Sequence, residues 1–163
     1  MKYNFFSKIN LFCLIFITVI FFFDRISKIE ILKVFQNTDS IFVNDFLNLS
    51  LVFNTGIGFG LLSLEAGLLY NIISFFIFFV ILILIHLLLK SKSFEKYCFS
   101  AVIGGALGNL YDRIFFKAVP DFIDFHIGSF HWFSFNIADI FISIGIILIL
   151  LKEFNSKNKK NEI

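Results

Sequence analysis

The sequence predicts an all-α membrane protein: four transmembrane helices with a small β-platform on the outer face, between helices 1 and 2. Three observations carry this. Of 163 residues, 58% are hydrophobic and 16% charged, against about 45–50% and 25% in soluble domains, and mean hydropathy is +0.89. One globular core cannot hide that excess, so the surplus must face lipid. The apolar residues gather in four stretches, and basic residues fill alternate connections between them. Disulfide-rich secreted, collagen-like, disordered and nucleic-acid-binding classes all fit this composition poorly. Phe supplies 27 residues. Runs such as Phe21-Phe22-Phe23 read as lipid-facing filler from AT-rich codon bias rather than as a binding box.

Span one covers about residues 9–32 and follows Lys2 and Lys8, with Asp24, Arg25 and Lys28 in its outer part. It lacks a small-x-small cleavage site before Asp24, so it is expected to remain as a helix rather than act as a removed signal peptide. The stretch before Cys13 also lacks the small residues of a lipoprotein cleavage box, so the chain is not expected to be a lipoprotein itself. In the following outer loop, Ser40–Val43 and Leu47–Phe53 alternate loosely and predict two or three short strands, then a turn at Asn54-Thr55-Gly56. Span two, residues 68–89, is 22 residues long, roughly 33 Å as a helix, and alone lacks Asp, Glu, Lys and Arg. Span three, about 97–116, carries Asn109, Asp112 and Arg113; span four, about 133–151, carries Asn136 and Asp139.

Lys90, Lys92 and Lys96, and then Lys152, Lys157, Lys159 and Lys160, lie on the side of the N-terminal lysines. Asp39, Asp45, Glu65, Asp121 and Asp124 lie opposite. The positive-inside rule then puts both termini in the cytoplasm. Residues 1–163 read as one integral membrane domain without repeats. Cys13 lies mid-span and Cys98 near the inner end of span three, so neither a disulfide nor a cysteine metal site is expected.

Ionisable groups in a span cost at least about 2.5–3.5 kcal/mol each at its centre, yet here they collect at one depth, the outer third of the bilayer. Asp24 and Lys28 can pair along one helix face. Asn109 shares a face with Asp112 and Arg113, and Asp112 beside Arg113 reads as a structural pair. Asp121, in Val119-Pro120-Asp121-Phe122 where the chain turns back, and Asp139, with no cation within one turn, admit two readings. They can form a carboxylate dyad sharing one proton, or Asp121 can cap a helix while Asp139 pairs with Arg113. Zinc proteolysis lacks its HExxH arrangement, and no serine sits in a nucleophile elbow. His86 falls near the inner end of span two, and His126 and His131 read as interfacial rather than ligating. No metal or cofactor is expected. A transporter would need polar groups through the whole bilayer, and an assembly factor would leave the intramembrane acids and amides without a role.

Taken together the motifs resemble lipoprotein signal peptidase, the signal peptidase II family of membrane aspartic peptidases. Asp24-Arg25-Ile26-Ser27-Lys28 looks like its Asp-x-x-Ser/Thr-Lys, and Asn54-Thr55-Gly56-Ile57-Gly58-Phe59 like Asn-x-Gly-Ala-Ala-Phe/Trp. The segment from Gly104 to Arg113 matches Gly-Gly-Ala-x-Gly-Asn-x-x-Asp-Arg at every specified place. Val119-Pro120-Asp121-Phe122 is similar to Val-Val-Asp-Phe, and Phe135-Asn136-Ile137-Ala138-Asp139 to Phe-Asn-x-Ala-Asp.

The resemblance implies an endopeptidase that removes signal peptides from diacylglyceryl-modified prolipoproteins, cleaving before the lipidated cysteine. Asp121 and Asp139 would be its catalytic pair, and Asn54, Gly56, Asn109, Arg113, Asn136 and Ala138 would bind substrate or orient the pair. Asp24, Lys28 and Asp112 would give structural support. It implies no metal or cofactor and no nucleic acid. Its partners would be prolipoproteins and membrane lipid, around a monomer in the bacterial cytoplasmic (inner) membrane with its site near the outer face. Ile57-Gly58 in place of paired alanines, and Pro120 in place of valine, depart from the pattern.

Overall fold

Helix α1 (Lys8–Val34) opens where the Ser7 hydroxyl accepts the Asn10 N–H at 3.4 Å, an N-cap of the ordinary kind. The chain then forms β1 (Ser40–Asn44), β2 (Leu47–Asn54), α2 (Leu68–Lys90), α3 (Ser93–Phe116), β3 (Val119–Ile127), β4 (Phe130–Phe135) and α4 (Ile137–Asn161). The computed structural model describes residues 7–55 and 68–161. The predicted turn residue Gly56 and the Ile57-Gly58 departure lie outside the described residues. Helix α3 starts with Glu95 accepting the Lys92 N–H at 3.0 Å. It stops at Lys117, which takes a left-handed conformation (φ 58°), a common way to end a helix.

Helix α3 is the central element, packed on α1, α2 and α4. Its glycines allow this. A Cβ at Gly105 would lie 2.4 Å from the Ala138 carbonyl oxygen on α4, and one at Gly108 would lie 2.4 Å from Asp24 Oδ2 on α1. Small residues at such positions let helix backbones approach closely without a side chain between them. Cys13, Ile81, Leu88, Ile103, Ala106 and Leu110 form the buried apolar cluster around α3. Both cysteines are free and buried.

Outward faces are apolar. Leu11, Phe12, Ile15, Val19, Phe22 and Phe23 on α1, and Phe75, Phe76 and Ile83 on α2, are exposed, whereas Asp24, Lys28 and Asp112 are fully buried. An exposed apolar surface on this scale marks contact with lipid. Among the described residues, Lys8–Val34 and Tyr70–Lys90 are long and apolar enough to cross a membrane.

The four strands form one antiparallel sheet in the order β1-β2-β3-β4. Of the two or three strands expected after helix α1, two are present among the described residues. Their turn is fixed by Asn44 Oδ1, which accepts the N–H groups of Phe46 and Leu47 at 2.9 and 3.0 Å. Half of the sheet comes from elsewhere. The platform is not confined to the connection between helices 1 and 2, because the chain between α3 and α4 adds the β3–β4 hairpin. The protein is thus mostly helical with a small antiparallel sheet rather than all-α. Val119-Pro120-Asp121 is a strand rather than a turn, and the fourth helix, α4, begins at Ile137 instead of 133 because Phe130–Phe135 is β4. It runs on to Asn161, and α3 begins at Ser93 instead of 97.

Two details explain how the hairpin forms. Gly128 supplies the positive φ (59°) of the tight turn, as two-residue hairpin loops require. Pro120 pairs with Phe53 of β2, while β4 pairs with β3 only from Ile123 onward. Among the described residues no strand pairs with Pro120 on its other flank, the setting in which a sheet tolerates proline.

Candidate active site

A buried charge network lies between α1 and α3. Lys28 Nζ donates to Asp24 Oδ2 at 2.8 Å, Asp112 Oδ2 at 2.7 Å and Asn109 Oδ1 at 2.9 Å, which uses all three ammonium protons. Arg25 pairs with the other Asp112 oxygen and stacks over the Tyr111 ring, 4.7 Å from its centroid. Asp24 Oδ1 accepts the Ala138 N–H at 3.0 Å, tying α1 to the first turn of α4. Two acids and two bases balance formally in charge.

Sequence spacing suggested Arg113 as the partner of Asp112. The ion pairs of that carboxylate are instead with Arg25 and Lys28 across the α1–α3 interface. Consecutive helix residues do not face each other, so Asp112 points into the network while Arg113 faces Tyr70, 5.7 Å from its ring centroid.

Asn109 connects this network to a second one. Its Oδ1 accepts a hydrogen bond from Lys28 Nζ, and its Nδ2 donates to Asp139 Oδ1 at 2.8 Å. At the start of α4, the Asn136 N–H donates to Asp139 Oδ2 and the Asp139 N–H donates to Asn136 Oδ1, both at 3.1 Å. This is a capping box with Asn at the cap and Asp three residues on. The remaining Asn136 amide protons face β3, where Nδ2 donates to Asp121 Oδ1 at 2.6 Å. From β2, Asn54 Nδ2 donates to Asp121 Oδ2 at 2.9 Å. Asp121 lies within β3, so it caps no helix.

Asp121 and Asp139 open onto one cavity of about 470 Å³, whose polar lining includes Asn54, Asn109, Arg113 and Ser143 and whose apolar lining includes Val119, Phe133, Phe135, Ile140 and Ile144. Burial of Asp121, and secondarily the charge of Asp139, push its carboxyl up to about 6, against the hydrogen bonds from Asn54 and Asn136. A carboxyl that keeps its proton this far up is suited to general-acid work.

Most of the residues singled out from the sequence thus meet. Asn54, Asn109, Arg113, Asp121 and Asp139 line the cavity, Asn136 joins the two acids, and Asp24, Lys28 and Asp112 sit behind them. Ala138 is fully buried beneath the site, and Gly56 lies outside the described residues. Arg25, Ser143 and the aromatic wall of Phe133 and Phe135 were not foreseen as parts of it. Arg25 could have been, because an intramembrane cation calls for a named partner.

The chain is similar to known proteins in both sequence and fold. The sequence model of the family described as Signal peptidase (SPase) II matches residues 16–155. A lipoprotein signal peptidase of Pelagibacter ubique (strain HTCC1062) is 46% identical over 160 residues, covering 94% of this chain and 96% of its own. One from Anaplasma phagocytophilum (strain HZ) is 42% identical over 146 residues, covering 88% and 92%. Two solved structures described as bacterial membrane enzymes are similar in fold. The first has a TM-score of 0.77 at 31% identity, covering 91% of this chain and 90% of its own. The second has 0.68 at 30%, covering 86% and 90%. The match spans the charge network, both acids and the amides between them, and the chain belongs to the signal peptidase II family.

Proposed function

We propose that this protein is an aspartic endopeptidase that removes signal peptides from diacylglyceryl-modified prolipoproteins, cutting before the lipidated cysteine. The observation that carries the reading is Asn136, which holds Asp121 with its amide and Asp139 through the helix cap, so both carboxyls face one cavity. Two such groups share a proton more readily than both ionise. Asp139 stands on the N-terminal turn of α4, where a negative charge is favoured, so the shared proton resides on Asp121.

In the reaction, Asp139 takes a proton from water as its oxygen attacks the scissile carbonyl carbon. Asp121 donates its proton to the carbonyl oxygen. Collapse of the tetrahedral intermediate breaks the C–N bond: one of its two hydroxyls returns a proton to Asp121 as the carbonyl re-forms, and the leaving amine takes the proton held by Asp139. Asn54, Gly56, Asn109, Arg113, Asn136 and Ala138 bind the substrate backbone or orient the dyad. Asp24, Lys28 and Asp112 support them.

On this reading all four helices span the bacterial inner membrane as one domain over residues 1–163. Both termini are cytoplasmic, the sheet and site lie at the outer face, and the enzyme works as a monomer on a substrate delivered laterally through lipid. The apolar outer residues of α3 and α4, such as Ile114, Phe115, Ile147 and Leu150, support the added spans.

The test is incubation of the purified protein in detergent with a diacylglyceryl-modified prolipoprotein and with its unlipidated precursor. Cleavage of the lipidated form alone, lost in both Asp121→Asn and Asp139→Asn, is the expected result. Cleavage that survives either substitution would sink the dyad.

A further inference from the structure

The β3–β4 hairpin brings together a second set of donor groups, distinct from the cavity lining. Asp124 and His126 are two residues apart on β3, and side chains at that spacing share a strand face. His131 on β4 is the cross-strand partner of His126. The two imidazoles stack with centroids 5.3 Å apart and planes inclined by 23°, and His131 Nδ1 lies 2.7 Å from Asp124 Oδ2. One carboxylate oxygen and one nitrogen from each ring fall within 4.8 Å of one another. Tetrahedral zinc with bonds of about 2.0–2.2 Å holds its ligand atoms roughly 3.4 Å apart, so small side-chain rotations close the set.

A second observation points the same way. His126 is only 6% exposed, and its Nδ1 is buried without a hydrogen-bond partner in the protein. Asn48, directly across from Asp124 in the β2–β3 register, has a buried Oδ1 in the same condition. Buried polar atoms are normally paired, and here two exceptions flank one buried carboxylate. A cation at that place satisfies the carboxylate and draws on the lone pairs of the rings.

We propose that Asp124, His126 and His131 form a zinc-class divalent-cation site that clamps β3 to β4. Two imidazoles and a carboxylate are the donor set that suits Zn²⁺, whereas magnesium and calcium prefer all-oxygen shells. The cation takes the place of the proton between His131 Nδ1 and Asp124 Oδ2, and that proton leaves to solvent. The exposed edge at His131, whose side chain is 57% accessible, leaves a fourth position for water. Ser134, the cross-strand partner of Asp124, lines the catalytic-side cavity, and β4 runs directly into Asn136. The clamp therefore fixes the strand that delivers the α4 cap, and it stands independently of the peptidase reading.

The experiment uses the tag-free, full-length protein in detergent, titrated with Zn²⁺ against a chromophoric chelator and with Co²⁺ followed by its visible d–d bands. A single equivalent is expected to bind and to raise the melting temperature. His131→Gln, an exposed substitution that leaves folding intact, and Asp124→Asn should each weaken binding by more than about 100-fold, beyond what loss of an outer-shell contact costs. Asp139→Asn and His86→Gln should leave it unchanged. No binding by the parent protein, equal binding by His131→Gln, or loss of binding in Asp139→Asn would each overturn the proposal; the last would place the cation at the dyad.

Discussion

Asn136 and Asp139 cap each other. Each backbone N–H donates to the other's side-chain oxygen at 3.1 Å, so the proposed catalytic base also helps to cap its own helix. Asp139→Asn keeps an oxygen able to accept the Asn136 N–H, so α4 should still form while proton transfer is lost. We expect cleavage to fall by about 10⁴-fold or more with near-parental helicity by circular dichroism. Cleavage within tenfold of the parent would rule out the role given to Asp139.

The Asp121 carboxyl sets the pH dependence. Burial chiefly, then the charge of Asp139, hold it up to about 6. A raised carboxyl keeps its proton to higher pH, so the singly protonated dyad should be lost as pH rises through about 6, and this gives the alkaline limb of kcat/KM. Asn54→Ala removes a hydrogen bond that favours the Asp121 anion and should move that limb to higher pH. Asp139→Asn removes the like charge and should lower the Asp121 titration, followed by its carboxyl infrared band. An unmoved limb in Asn54→Ala would contradict this.

The same shift bears on stability. Because Asp121 binds its proton more tightly in the folded state, its favourable contribution is complete below the unfolded value near 3.9 and is lost as pH rises through about 6. Asp121→Asn removes the buried charge that arises above that range. It should leave stability at neutral pH unchanged or higher, by on the order of 1–3 kcal/mol, while abolishing cleavage. A marked drop in melting temperature would show that Asp121 holds the fold.

Lys28→Met tests the buried network. It leaves Asp24 and Asp112 facing each other with Arg25 as the remaining cation of the four charges. Removing one partner from a buried charge cluster costs about 3–5 kcal/mol. Thermal unfolding followed by intrinsic fluorescence should report a loss of that order, and a change below about 1 kcal/mol would show the pairs to be of little weight.

Two glycines on the α3–α4 interface should behave differently. A Cβ at Gly105 meets the Ala138 oxygen at 2.4 Å and Ile142 Cγ1 at 2.9 Å, whereas one at Gly145 meets Val102 Cγ2 at 2.6 Å and the Cys98 oxygen at 2.7 Å. Each alanine substitution should destabilise by about 1–3 kcal/mol through overpacking. Gly105→Ala also displaces the turn that bears Asp139, so its kcat should fall, while Gly145→Ala should keep the parental kcat per folded molecule. Equal kcat in both would separate helix spacing from dyad alignment.

What could be read from the chain follows from how local each signal is. Helix α2 is a long, strongly apolar stretch without Asp, Glu, Lys or Arg before Lys90, and its limits of Leu68–Lys90 differ from the expected 68–89 by one residue. The first two strands announce themselves by alternation, whereas the turn role of Asn44 shows only in the fold. The β3–β4 hairpin carried signals too, in the Gly128-Ser129 turn between aromatic-rich runs. Pro120 removes a backbone donor, which weakens the strand signal there, and the aromatic residues of β4 blended into the apolar start of α4. The partners of Asp112 are tertiary: nothing in the order of residues says that Arg25 and Lys28 arrive beside it. The meeting of Asp124, His126 and His131 depends on hairpin register in the same way.

Lys28 draws on three partners, two of them on α3. If all four helices span the bilayer, this bears on biogenesis. On emerging, the outer part of α1 carries two acids (Asp24, Glu30) and three bases (Arg25, Lys28, Lys33), an excess of one positive charge, and Lys28 has only Asp24 as a partner within the helix. Asp112 and Asn109 follow some eighty residues later in synthesis. Until then α1 is a poor resident of hydrocarbon, and its lodging has to be provisional: near the insertion channel, or displaced toward the headgroups. The arrival of α3 completes the insertion of α1.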